Sequence, residues 1–279
     1  MQTFHNKVAA ITGAGSGIGQ QLAILLAKQG CHLALSDLNE QRLLETLALL
    51  NNPKIQVTIA KVDVAQQAQV EQWAQDVVAQ HGKVNMIFNN AGLALGSTIE
   101  GASYEELEWI MGINFWGVVY GTKSFLPLIK QTADGHVINL SSVFGLTAQP
   151  TQAGYNASKF AVRGFTEALR QELDLQNCGV SALCVHPGGI KTNIANAARI
   201  NHSLATLGMN IEDSSRSFND FLRYPAKQAA QDILDAVLKN KRRVLIGNDA
   251  KALDLIQRLL PSAYQRLMQM GSQLRDKFK

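Results

Sequence analysis

Tyr155 and Lys159 stand four residues apart at the head of the stretch YNASKFAVRGFTEALRQEL, residues 155–173. A phenol can hand a proton to an oxygen that is changing its bonding, or take one from it. Its ordinary pKa of about 10 makes it a poor base at neutral pH. An ammonium beside it favours the phenolate and lowers that pKa. The stretch predicts a helix, because Val162, Phe165, Leu169 and Leu173 recur on one face and no proline interrupts them. Tyr155 falls in line with that apolar stripe and Lys159 lies at its edge, one turn along on the same side. A packed tyrosine beside a lysine that buries only its stem has the same pattern. The rest of the chain has to decide between them.

The elements that would position the pair alternate. Apolar runs KVAAIT, CHLALS, IQVTIAKV, NMIFNN, HVINLS and VSALCVH read as strands. Between them lie helical patterns: IGQQLAILLAKQG, then residues 40–50, 70–79 and 104–129, then the Tyr155 helix. Strand and helix in strict alternation, with near-continuous apolar strands, predict a doubly wound, Rossmann-type parallel sheet covered by helices on both faces. With 279 residues, 46% of them hydrophobic, and no linker or repeat, a single α/β domain over residues 1–279 is expected.

TGAGSGIG, residues 12–19, lies between the first strand and the first helix. Gly13, Gly17 and Gly19 allow a tight turn and a close backbone approach to a pyrophosphate, and the helix N-terminus offers it free N–H groups. Asp37, after the second strand, can accept hydrogen bonds from an adenosine ribose and would repel the extra phosphate of NADP. Neither Ser16 nor Leu38 supplies a cation to compensate. NAD is therefore expected over NADP. Asp37 could equally cap the helix that follows it.

Three further signals follow in order: NNAG at residues 89–92, Asn114 within MGINFWG, and NLSS at residues 139–142. With the glycine motif, Ser142 thirteen residues before Tyr155, YNASK and PGGIKT, they make the first 190 or so residues resemble the short-chain dehydrogenase/reductase family. The resemblance implies a catalytic tetrad of Asn114, Ser142, Tyr155 and Lys159. It implies that Ser142 binds the substrate oxygen, that Lys159 also holds the nicotinamide ribose, and that Asn114 holds a water linking Lys159 to solvent. For the cofactor it implies Gly13, Ser16, Gly17, Ile18 and Gly19 at the pyrophosphate, and Asp37 at the ribose. Asp63 and Val64 would meet the adenine, and Asn90, Ala91 and Gly92 would line the cleft. Pro187, Gly188, Ile190 and Thr192 would form the nicotinamide turn. Ser141 is expected to hydrogen-bond at the strand end. Asn114 could instead be a mid-helix polar residue bonded to a neighbouring carbonyl.

Residues 193–224 break the rhythm with an insertion of the length expected of a helical substrate lid. Leu93, Leu95, Val143, Phe144 and Leu146 flank the expected chemistry, so an apolar alcohol or carbonyl substrate is predicted. After RRVLIG the chain continues into a C-terminal helical extension, residues 248–279, broken at Pro261. From Lys239 onward ten Lys and Arg face three Asp, a net +7, and the preceding residues carry 16 against 19, or −3. This basic amphipathic tail is expected to pack over the pocket or a subunit interface, with contact to an acidic membrane surface as the alternative.

No nucleic-acid motif accompanies the positive charge. Cys31, Cys178 and Cys184 occur singly, and the six histidines lack metal-ligand spacing, so reduced thiols and no metal site are expected. His186 is the histidine closest to the expected chemistry. No apolar run approaches a membrane span, and the first residues lead into a strand, so a cytoplasmic protein is expected, as a homodimer or homotetramer by the resemblance. The function expected is hydride transfer between NAD(H) and a secondary alcohol or ketone. An NADPH-dependent carbonyl or 3-oxoacyl reductase, and a dinucleotide sensor without turnover, are the rivals.

Overall fold

The computed structural model describes residues 1–210, 216 and 219–277, with side chains as far as residue 270. The first half runs β1 (Val8–Thr12), α1 (Gly17–Lys28), β2 (His32–Asp37), α2 (Glu40–Leu49), β3 (Val57–Lys61), α3 (Gln67–His81), β4 (Met86–Asn89), β5 (Leu95–Gly96) and α4 (Tyr104–Met111). A π-helical turn (Gly112–Trp116) joins α4 to α5 (Gly117–Lys130), followed by β6 (Gly135–Leu140), a 3-10 turn (Val143–Gly145) and α6 (Ala153–Gln176). Then come β7 (Val180–Pro187), β8 (Ile190–Lys191), β9 (Arg199–Ile200), a 3-10 turn (His202–Leu207), β10 (Tyr224–Pro225), α7 (Ala226–Leu238), β11 (Arg243–Ile246), α8 (Asn248–Leu259) and α9 (Tyr264–Lys277).

Seven strands form one sheet in the order β11-β7-β6-β4-β1-β2-β3, and every pairing in it is parallel. Strand residues alternate between two cores, as a period of two requires. Ala9 and Ile11 of β1 face α1 and α7, where Leu22, Leu26, Ile233 and Val237 are buried. Val8 and Ala10 face α3, α5 and α6, where Trp73, Phe125 and Leu173 are buried. Burial on both faces explains why the strands read as continuous apolar runs.

The strand order reverses beside β1, between β4 and β2, so a crevice opens at the carboxyl ends of those strands. Because the strands all point one way, Thr12, Asp37, Asn89, Leu140 and Pro187 all end at that edge.

Behind the crevice a buried polar chain ties the layers together. Asn89 Nδ2 donates to Asn139 Oδ1 (2.8 Å) and Thr122 Oγ1 (3.1 Å), and Asn139 Nδ2 donates to Thr166 Oγ1 (3.0 Å). Gly121 lets α5 approach this chain, since a Cβ there would overlap Asn89 Oδ1. Gly121→Ala should therefore lower stability by about 2 kcal/mol or more, because Asn89 must give up its partners in a buried setting. Urea unfolding checks it. A midpoint that rose instead would mean that the roughly 1 kcal/mol helical advantage of Ala over Gly prevails.

Candidate active site

The turn from β1 into α1 is bolted to the chain leaving β4. Thr12 Oγ1 accepts from the backbone N–H groups of Asn90 and Ala91 (3.0 Å each), and Asn90 Nδ2 donates to the carbonyls of Thr12 (2.9 Å) and Gly13 (3.1 Å). Gly13 has φ +63, and a Cβ on it would sit 2.9 Å from Ala91 Cα. A Cβ on Gly19 would overlap the Gly13 carbonyl, so Gly19 is there to bring helix and strand together and does not face the cavity. Ser16 is the N-cap of α1 but makes no side-chain cap bond, and no acid occupies the first turn. The positive end of α1 is thus left without a side-chain cap or an acid in its first turn, which suits it to receive an anion.

Asp37 bonds at both oxygens, with Oδ2 accepting from Gly15 N and Oδ1 from Asn39 N, both at 2.9 Å. The cap of α2 is Asn39, whose side chain accepts from Arg42 N. Asp37 is thereby relieved of capping, and its carboxylate lines the cavity. Asp63 and Val64 line the same end, with Asp63 Oδ1 holding Ala65 N (3.0 Å).

At the other end Ser142, Tyr155 and Lys159 meet on one wall, all under 9% exposed. Ser142 leaves β6 in extended backbone and accepts from Phe144 N (3.1 Å) to start the 3-10 turn. Its carbonyl is held by His186 Nδ1 (3.0 Å), and burial pushes that imidazole down to about 4, so it is neutral. Ser141 turns away and donates to the Lys159 carbonyl (2.8 Å), a strand-end bond that ties β6 to α6.

Lys159 Nζ donates to the Leu140 carbonyl (3.0 Å) and lies 5.7 Å from the centre of the Tyr155 ring. Burial pushes Lys159 down to about 8. The expected fall in the Tyr155 pKa rests on two positive charges, the Lys159 ammonium and the nicotinamide ring of NAD. The ammonium does not set the direction here: burial raises the Tyr155 pKa, and the hydrogen bond with Ser142 opposes that rise. The physical reason is position, since the ammonium sits over the ring and is spent on Leu140 rather than on the phenol oxygen.

Asn114 lies behind this wall on the π-helical turn, not on the cavity surface. It accepts from Leu93 N (2.9 Å) and donates to Leu93 O (3.0 Å) and Ser158 Oγ (3.1 Å). These bonds run to other elements and not to a neighbouring helical carbonyl. Gly92 fits beside it, because a Cβ there would approach Asn114 Oδ1 and Lys159 Nζ at 3.2 and 3.3 Å.

The cavity of about 680 Å³ continues between Pro187, Gly188, Ile190 and Thr192 and an apolar lobe. Leu93, Val143 and Phe144 line it, whereas Leu95 and Leu146, each 1% exposed, do not reach its wall. Leu95 is turned inward because β5 pairs with β9, which packs it against Ile110 and Tyr155. Ile194, Ala197, Phe221 and Leu222 complete the lobe, and Phe221 stacks on Phe144 at 6.3 Å. Sequence reasoning places these four only collectively, in the insertion.

The first part of that insertion is anchored at Arg199, Asn201 and Ser203. Asn201 Nδ2 reaches Gly101 O (3.1 Å) and Glu106 Oε2 (2.9 Å), Thr98 N donates to Ser203 Oγ (3.1 Å), and the Arg199 guanidinium lies 3.7 Å from the centre of Trp109. The expected helical lid includes residues 211–215 and 217–218, which lie outside the described residues. Cys31 and Cys184 are buried free thiols pushed up to about 12, and Cys178 is a free thiol as well. Among the described residues no group of His, Cys, Asp and Glu is placed to hold a metal, and no helix is long and apolar enough to cross a membrane.

The family model for short chain dehydrogenases matches residues 7–203. The chain belongs to the short-chain dehydrogenase family. It is 42% identical over 276 residues to a putative oxidoreductase, SadH, of Mycobacterium tuberculosis, covering 97% of each chain. Among solved structures, a short-chain dehydrogenase/reductase from Burkholderia phymatum in complex with NAD superposes with a TM-score of 0.85 at 29% identity, over 92% of this chain and 95% of that one. An alcohol dehydrogenase from the archaeon Thermococcus sibiricus, complexed with 5-hydroxy-NADP, gives 0.70 at 26% identity, over 86% and 95%.

As a short-chain dehydrogenase the chain is an oxidoreductase with a nucleotide-cofactor fold, and the glycine cradle fits such a group because a Cβ on Gly17, which lines the cavity, would reach Thr192 across it at 3.0 Å. The buried ammonium yields a test of stability. The unfolded chain holds the Lys159 proton up to about 10.5 and the folded one only to about 8, so stability rises with pH across that window. Lys159→Met should be more stable than the parent at pH 7 by roughly 1–3 kcal/mol, with the gap closing as pH rises through the window. Equal stability at pH 7 would mean that the Leu140 bond and the ring contact fully offset the burial.

Proposed function

We propose that this short-chain dehydrogenase interconverts a secondary alcohol and its ketone using NAD(H), with Tyr155 as the proton donor or acceptor. The observation that carries the reading is the meeting of Tyr155, Ser142 and Lys159 on one wall of a cavity whose far end is marked by Asp37. In this reading Gly13, Ser16, Gly17 and Ile18 receive the pyrophosphate, while Gly19 packs behind them. Asp37 takes the adenosine ribose, and Asp63 and Val64 border the adenine. Asn90, Ala91 and Gly92 form the cleft wall. Pro187, Gly188, Ile190 and Thr192 hold the nicotinamide end, and Lys159 its ribose. A dinucleotide held there would supply or accept the hydride at the carbinol carbon.

The protein's own groups handle the proton and the charge. Ser142, tethered at its carbonyl by His186, hydrogen-bonds the substrate oxygen as negative charge develops there. Tyr155, held neutral by burial, gives that oxygen its proton in ketone reduction. In the oxidising direction the phenol must lose its proton, which the positive charge of an oxidised nicotinamide ring would favour, since the Lys159 ammonium lies over the phenol ring and not at its oxygen. The Asn114 side chain is committed to Leu93 and Ser158, so a water relay at this position uses the backbone of the π-helical turn. A sensor without turnover would bury Lys159 to no purpose.

The walls around the chemistry are Leu93, Val143, Phe144, Ile194 and Phe221, which suits a medium-sized or bulky apolar substrate. NADP is the second reading, because Arg42 and Lys61 line the same end of the cavity as Asp37. A homodimer or homotetramer belongs to the proposal too: Trp116 and Phe160 are 47% and 39% exposed, and Trp116 stacks on Tyr120.

Calorimetric titration with NAD, NADH, NADP and NADPH tests the cofactor. Preference for the unphosphorylated pair is expected, and preference for the phosphorylated pair would mean that Arg42 and Lys61 outweigh Asp37. On a substrate found by screening apolar alcohols and ketones, Tyr155→Phe should cut kcat by about 10²-fold or more, the usual worth of a general acid. Near-normal turnover would sink the mechanism. Ser142→Ala should cost on the order of 10²–10³ in kcat.

A further inference from the structure

The family model ends at residue 203, yet the chain returns to the crevice much later, where β11 turns into α8. There Asp249 Oδ2 accepts a 2.6 Å hydrogen bond from the backbone N–H of Gly189, sixty residues earlier in sequence. The carboxylate is wedged between two glycines, since a Cβ on either Gly188 or Gly247 would overlap it. Gly247 also has φ +91, a conformation that only glycine adopts readily. Two unsubstituted positions and a short charge-assisted bond describe a seat built for one carboxylate.

The turn it holds is the wall of the cavity that carries Gly188, Ile190 and Thr192. Other ties on that turn come from its backbone neighbours. Gly188 N donates to Ile246 O (2.9 Å), and Gly189 O accepts from both Arg223 N and Tyr224 N (2.9 Å each). These bonds fix the base of the turn. Asp249 is the side chain that fixes the Gly189 N–H, and it does not itself line the cavity. Any influence it has on a ligand therefore passes through the turn.

We propose that Asp249, from the extension beyond the matched family core, is a positioning residue that holds the residue 187–192 turn in the shape that receives the nicotinamide half of the dinucleotide. The extension is thus part of the cofactor site. The adenine half meets a different wall, built on Asp37 and Asp63, and is independent of Asp249. This rests on the dinucleotide reading above, and it separates the two ends of one ligand.

The test compares NADH with ADP-ribose, which lacks the nicotinamide, by fluorescence and calorimetric titration of the full chain, without any substrate. Asp249→Ala should weaken NADH about tenfold, the order of losing one charge-assisted hydrogen bond that orders a binding wall. ADP-ribose affinity should stay within about twofold, on the reasoning that its contacts lie elsewhere. Asp249→Asn keeps an acceptor oxygen and should recover most of the NADH affinity, while still shifting the ratio of the two affinities in the same direction. If Asp249→Ala does not fold, the ratio for Asp249→Asn decides. Equal loss of both ligands, or an unchanged ratio, would make Asp249 a merely structural tie and overturn the proposal. If the parent protein binds neither ligand, the dinucleotide reading itself fails.

Discussion

A lysine ammonium that is only 4% exposed is costly to keep, and the surrounding structure is arranged around it. Water would solvate it for nothing, whereas burial drives its pKa down toward 8. Its ammonium donates to the Leu140 carbonyl, so the last residue of β6 has to end there and nowhere else. The next residue, Ser141, bonds the carbonyl of Lys159, and the one after that, Ser142, reaches the phenol of Tyr155. Strand end and helix start are therefore registered to each other by three consecutive residues. Moving either by one residue would break all three contacts together.

The parallel sheet makes such a registration possible at several places at once. A strand that ran the other way would deliver its carboxyl end to the opposite edge, and one of Thr12, Asp37, Asn89 or Pro187 would be lost to the crevice. Side-chain locks then join neighbouring ends: Thr12 with Asn90, Ser142 with His186, Gly189 with Asp249. Each of these spans at least 44 residues of sequence. The crevice is consequently a product of long-range closure, stable only when the sheet is complete.

Legibility in the sequence follows the same division. Strand and helix alternation, the glycine turn and the Tyr155 helix are written locally, in periodicity and in residues that tolerate few replacements. The structure bears out the parallel sheet covered on both faces that they predict. Gly13, Ser16, Gly17, Asp37, Ser142, Tyr155 and Lys159 line one cavity, where the family resemblance leads one to expect them, with Gly19 and Asn114 one layer behind the surface. Leu95 looked like a wall residue because it follows NNAG closely, but its direction depends on pairing with Arg199, more than a hundred residues away. The sign of the Tyr155 shift was illegible for a similar reason. Helical spacing places a lysine near a tyrosine but does not say whether its charge meets the ring or the oxygen. Asp249 carried only the signal of an acid at a helix start, which usually serves the helix itself.

The apolar lobe differs from the rest of the crevice in how it is held. Phe144 follows Ser142 on the 3-10 turn and shares its rigid support, while Phe221 belongs to the return of the insertion and meets Phe144 by ring stacking. Stacking and apolar contact are tolerant of substitution as long as volume is kept, whereas the bonds around Lys159 and Gly189 are not. The chemistry-bearing wall is thus overdetermined, and the substrate-bearing wall is held by interchangeable contacts. Under the proposed reaction, a fold built this way can change what it accepts at Ile194, Ala197, Phe221 and Leu222 without disturbing the contacts around Lys159. In the proposed function the reaction class therefore rests on the rigid wall, while the substrate rests on residues whose types constrain only its polarity and bulk.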